Sequence, residues 1–116
     1  MAQPNHGYHC GDVVLVRFVF ADERGAKRRP ALVLNTAAYS ASRQELVVAA
    51  MTSRSDRLLV GDCGLADWHS AGLPRASVVT GIFRTIKQSM VESVFGQVSA
   101  ADLAAVQQGV RVVLGL

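Results

Sequence analysis

The sequence has no run of about 18 or more uninterrupted apolar residues, so it offers no segment that would cross a membrane as a helix. Its first residues, MAQPNHGYH, carry neither the basic start nor the apolar run of a signal peptide. A soluble, cytoplasmic protein without membrane contact is therefore expected. Cysteine is scarce: Cys10 and Cys63 are too few and too far apart for the disulfide framework of a secreted mini-protein, and both are read as free thiols. No Cys-x-x-Cys or His-x3-His spacing joins these cysteines to His6, His9 and His69, so neither a metal site nor another cofactor is expected. Low-complexity tracts are also missing. The 116 residues, half of them apolar, suffice for one ordinary core and hardly for two, which makes 1–116 a single expected domain.

The formal net charge of +3 permits an anionic partner without demanding one. Its local arrangement says more. Arg24, Lys27, Arg28 and Arg29 fall within six positions, directly after Asp22 and Glu23 and between two apolar runs. Such a cluster on a connection between strands suits either a solvated loop or an anion-binding site.

The apolar runs read as strands. Residues 12–20, DVVLVRFVF, are rich in β-branched and aromatic side chains and make a first strand, with Asp12 fixing the turn after Gly11. Residues 30–35 form a second, with Pro30 at its start or edge, so the two make a hairpin with a charged tip over 21–29. Residues 44–51 make a third strand after a loop at 39–43, and residues 57–61 a fourth. From 62 to 74 the glycines, Pro74 and the DWHSA stretch predict an irregular excursion with a helical turn, after which 76–81 and 82–86 resume extended structure. Ser99 and Asp102 then have the spacing of a capping box, and Leu103, Val106, Val110, Val113 and Leu114 lie on one helical stripe. Short strands with one amphipathic helix at the end predict a mainly β fold, a small barrel rather than a parallel α/β sheet.

Several segments together carry a family resemblance. They are GDVVLV at 11–16, KRRPALVL at 27–34, VVAAMTS at 47–53, then Asp67-Trp68-x-x-Ala71-Gly72-Leu73, SVV at 77–79, RTI at 84–86 and Phe95-Gly96-x-Val98-Ser99-x-x-Asp102-Leu103. In this order and spacing the chain resembles the MazF/PemK toxin family over nearly its whole length. The resemblance implies an SH3-like barrel with a C-terminal helix, working as a homodimer with single-stranded RNA across the interface. It implies a toxin of a type II toxin–antitoxin system: a sequence-specific, metal-independent endoribonuclease that cuts mRNA and so inhibits translation and growth. A cognate antitoxin is implied as the partner, laying a peptide segment over the RNA site. A non-catalytic barrel that binds RNA or an antitoxin peptide is the alternative reading, because the loop after the first strand lacks a histidine that some relatives place there. Poisoning of DNA gyrase is disfavoured by the Arg-Pro and Met-Thr-Ser elements.

RNA can be cut without a metal when its own 2′-hydroxyl attacks the adjacent phosphorus, provided the site supplies cations and hydrogen-bond donors for the phosphoryl oxygens. A guanidinium fork suits that work and a threonine hydroxyl adds to it. By the family match these catalytic residues are Arg29 and Thr52, with Ser53 as a neighbour. Asp22, Glu23 and His69 are auxiliary candidates for moving the proton, which arginine does poorly. For gripping RNA the candidates are Arg24, Lys27, Arg28, Arg54 and Arg57, with Trp68 either stacking on a base or anchoring the core.

Overall fold

The apolar runs at 13–16, 31–33 and 46–51 become the middle of one antiparallel sheet. The computed structural model of the protein describes residues 7–18, 27–53 and 56–116. Its strands are β1 (Asp12–Phe18), β2 (Lys27–Val33), β3 (Glu45–Thr52), β4 (Cys63–Gly64), β5 (Val78–Lys87) and β6 (Val91–Gln97), in the spatial order β4-β5-β3-β2-β1-β6. Two α-helices, α1 (Ala37–Arg43) and α2 (Ala100–Leu114), complete the fold.

These three runs are continuous rather than alternating because both faces of the sheet are covered. Val13, Leu32, Ala49 and Met51 enter a core shared with Leu65, Leu73, Val79 and Val106, whereas Val14, Val16, Ala31, Val33, Leu46 and Val48 join Ile86 in a second one. Each strand thus splits its apolar residues by parity between two cores. The mainly β class with a C-terminal helix is as expected. Among the described residues the edge strands β4 and β6 do not pair with each other. The segment after β4 instead packs along β6, with Gly72 against the carbonyl of Phe95 and the Ala71 carbonyl against Gly96. Gly72 has φ +84°, so both its backbone conformation and its closeness to β6 require the missing side chain.

Helix α2 begins where the capping spacing placed it: the Ser99 hydroxyl accepts the Asp102 N–H at 3.1 Å. Asp102, however, sends its carboxylate across the chain to accept the backbone N–H groups of Ala66 at 3.0 Å and Asp67 at 2.9 Å. That buried carboxylate ties the excursion to the helix. Asp102→Ala is expected to lose about 2 kcal/mol of stability by leaving two donors without their acceptor, measured as a shift in urea midpoint at unchanged slope.

Cys63 lies close enough to feel the same carboxylate. Burial first, and the charge of Asp102 second, push its thiol pKa up. The neutral thiol is favoured by folding, so its contribution is fully present below the unfolded thiol's pKa, near 8.5, and is lost as pH rises through the folded value. Alkylation of Cys63 by iodoacetamide at about pH 8.5 should be slower in the folded protein than in urea, read by mass spectrometry. Equal rates would remove the shift.

Several elements differ from the sequence reading, among them β4, which falls inside the stretch 62–74 read as irregular. Strand β2 begins at Lys27, so Lys27, Arg28 and Arg29 stand in the sheet opposite Phe18, Arg17 and Val16. Residues 57–61 are not a strand: Asp62 captures the Leu59 N–H at 2.8 Å, Gly61 turns at φ +92°, and Leu58, Leu59 and Val60 stay exposed. The loop at 39–43 is helix α1, capped by the Thr36 hydroxyl, and Val91–Gln97, given no element in the sequence reading, is the strand β6.

Candidate functional site

Proline has no N–H to give a neighbouring strand, and the ladder between β2 and β3 runs from Ala31 to Val33, ending at Pro30. Its register pairs Ala31 with Ala50 and Leu32 with Ala49. Beyond the pair Ala31–Ala50 the ladder stops, two residues short of Arg29 and Thr52. Where the strands part, a cleft of about 390 Å³ opens between them.

Buried Met51 and Leu73 and half-buried Phe95 make its apolar part. Arg28, Arg29 and Arg75 bring three guanidinium groups to it, and Thr52, Ser53 and Ser77 three hydroxyls. Arg29 is half-buried with its Nε shut away from solvent, which holds its fork in place better than an exposed loop would. Ser77 donates its hydroxyl to the Arg75 carbonyl at 2.9 Å, so it meets a ligand as an acceptor only. None of the described residues lining the cleft is Asp, Glu or His. The lining therefore suits an anion with an apolar or planar appendage.

The structure brings together Arg28, Arg29, Thr52 and Ser53 of the sequence candidates. Lys27 is next to them on β2, exposed. Arg57 is exposed in the bend before 58–60 and does not line the cleft. Trp68 is half-buried and packs against the first core, with His69 edge-on at 5.8 Å and exposed; neither lines the cleft. Asp22, Glu23, Arg24 and Arg54 lie outside the described residues. Among the described residues no group of three or more His, Cys, Asp or Glu side chains is placed to hold a metal ion, and no helix is long and apolar enough to cross a membrane.

Arg75, Ser77 and Phe95 were missed as site residues. The register brings the first two there: β5 pairs Val78 with Thr52, so Ser77 and Arg75, just before Val78, come to the Thr52 end of β3, a pairing with no local sequence signal. Nothing in the local sequence of β6 announces that Phe95 reaches the same cleft.

The fold and site are thus those of a mainly β protein, an antiparallel sheet with a C-terminal helix and a cation-lined cleft beside Pro30. The chain belongs to the PemK-like, MazF-like toxins of type II toxin–antitoxin systems, whose family model matches residues 9–114. No curated protein matches it. It is similar to the crystal structure of MazF (Form-I) from Deinococcus radiodurans, with 25% identity, a TM-score of 0.77 and coverage of 95% of this chain and 98% of that one. Similarity to a MazE–MazF structure (Form-II) from the same organism has 26% identity, a TM-score of 0.75 and coverage of 94% and 96%. An endoribonuclease in complex with its cognate antitoxin from a mycobacterial species shares the fold at 17% identity, with a TM-score of 0.77 and coverage of 95% and 97%.

Proposed function

We propose that this chain is a toxin that cuts single-stranded RNA at a short sequence motif, using no metal, and thereby stops translation and growth. The single observation carrying the reading is the cleft beside Pro30 that Arg29 and Thr52 line together, in a member of this toxin family. In the proposed reaction the RNA's 2′-oxygen attacks the adjacent phosphorus, the bond from phosphorus to the 5′-oxygen breaks, and a 2′,3′-cyclic phosphate and a 5′-hydroxyl result. Negative charge grows on the phosphoryl oxygens as the new bond forms. Arg29 meets it with a fixed fork and Thr52 with a hydroxyl donor, while Arg28 and Arg75 hold neighbouring phosphates. Phe95 offers an apolar surface to the base or sugar beside the scissile bond.

Homodimerisation is supported by an apolar area that the single chain leaves exposed. Leu59 and Val60 of the 58–60 turn adjoin the end of α2, where Val113 packs on Gly61 and Leu116 is 82% exposed. An antitoxin as second partner is supported by the family and by the similar MazE–MazF structure, and the cytoplasm is where such a pair and its mRNA would meet.

Purified protein incubated with a long single-stranded RNA in EDTA tests the reading, with cut ends mapped by primer extension. The expected result is cleavage at one recurring motif, leaving 5′-hydroxyl ends that are ligated only after phosphorylation. Asp22, Glu23 and His69, substituted one at a time, identify the proton-transfer group by their effect on the pH–rate profile. Intact RNA at every protein concentration would favour the non-catalytic binding barrel.

A further inference from the structure

Arg17 on β1 and Arg28 on β2 face each other directly in the antiparallel ladder. Like charges so placed repel. The relief comes from the next strand: Glu92 on β6 forms an ion pair with Arg28 Nε at 2.9 Å and lies 3.5 Å from Arg17 Nε. Glu92 reaches them because of a bulge. Leu15 pairs with Ser93 and Val16 with Val91, so Glu92 is the extra residue between consecutive pairs. Bulges of this kind re-aim a side chain that regular pleating would carry elsewhere.

The position of this carboxylate carries the inference. Arg28 both lines the cleft and binds Glu92, so the Arg17–Arg28 pair continues the cationic surface of the cleft along the sheet. We propose that Glu92 occupies an RNA-phosphate subsite: its carboxylate stands where the phosphate next to the cleft docks between Arg17 and Arg28, and an incoming strand must displace it. Two oxygens bridging two guanidinium groups are what a phosphodiester also presents. The arginine side chains are 53% and 62% exposed and that of Glu92 32%, and ion pairs so open to water are held weakly enough to exchange. Glu92 thus lowers RNA affinity and makes its strength depend on whether a strand long enough to reach the subsite is present. This rests on the RNA-cleaving reading above. It adds Arg17 to the phosphate contacts and makes Glu92 a positioning residue.

The test is binding of a single-stranded RNA with a 2′-deoxy substitution at the cut position, over a series of KCl concentrations, for the full chain and its Glu92→Gln, Arg17→Gln and Arg17→Gln/Glu92→Gln variants. In Glu92→Gln the phosphate no longer displaces a carboxylate but releases counterions, so Kd should fall about three- to tenfold at low salt. The slope of log K against log[salt] should steepen by about 0.7 per phosphate gained. Arg17→Gln should weaken binding and flatten the slope, and in the double variant the gain from Glu92→Gln should shrink. With cleavable RNA the Glu92→Gln change should appear in KM and leave kcat alone. An unchanged Kd and slope in Glu92→Gln, or in Arg17→Gln should the first variant fail to fold, would overturn the proposal. So would a Glu92→Gln gain seen only with an acidic antitoxin peptide, which would assign the pair to a protein carboxylate. Failure of the wild type to bind or cut RNA at all would overturn the functional reading itself, a result the wild-type control separates from the others.

Discussion

Arg29→Ala is expected to slow RNA cleavage about a hundred- to a thousandfold under single-turnover conditions, the range seen when one fixed donor to a developing oxyanion is removed. Among the described residues three guanidinium groups reach the cleft, yet they are not equivalent. Arg75 is exposed on the approach to β5, and Arg28 is exposed too, in an ion pair with Glu92 that is open to water. Arg29 alone of the three is a half-buried strand residue, lining the cleft with Thr52 and with its Nε shielded from water. A donor held there pays little reorganisation as charge develops, so its loss should fall on the rate far more than on RNA affinity. Arg29→Lys should recover only part of the rate, because an ammonium keeps the charge but not the planar fork. Circular dichroism melting of both variants separates chemistry from folding. A folded Arg29→Ala protein cutting within tenfold of wild type would take Arg29 out of the reaction and leave Arg28 and Arg75 as the cations to examine.

The parts of this site that were legible in the sequence are those held by short-range patterns. Continuous apolar runs marked β1, β2 and β3, and Ser99 with Asp102 marked the start of α2, because each is a local signal that tertiary structure had no reason to override. Arg29 and Thr52 were readable as strand-end residues through the family motifs. That they line one cleft depends on long-range strand pairing no local window contains. The cationic run was placed on a loop because polarity suggests a turn, but β1 is long enough to pair with it as far as Lys27. Residues 57–61 misled in the opposite sense: their composition is that of a strand, but an Asp62 turn and an exposed surface claim them. Strand β6 escaped notice because its two irregularities against β1 break the period-2 alternation that marks a strand. The same bulge that hid it aims Glu92 at the two arginines.

Gly72→Ala should be the most damaging small substitution in the protein, costing about 3 kcal/mol and lowering the melting temperature by roughly 10 °C or more. Two costs coincide there. The backbone at φ +84° is one an alanine adopts only with strain, and the added methyl group would run into the Phe95 carbonyl, a backbone atom that cannot rotate aside. Either the 71–74 segment lifts from β6 or β6 shifts, and both movements disturb the cleft, since Leu73, Pro74 and Phe95 are its walls. Cleavage should therefore be reduced even at temperatures where the variant remains folded. Gly72→Asn separates the two causes, because asparagine tolerates positive φ better than alanine but brings the same Cβ. Equal losses in the two variants would assign the effect to the contact with Phe95, and a milder loss for asparagine to the dihedral. If Gly72→Ala melts within about 3 °C of wild type, the segment is not pressed against β6 in solution, and the cleft has a movable wall where a fixed one is described.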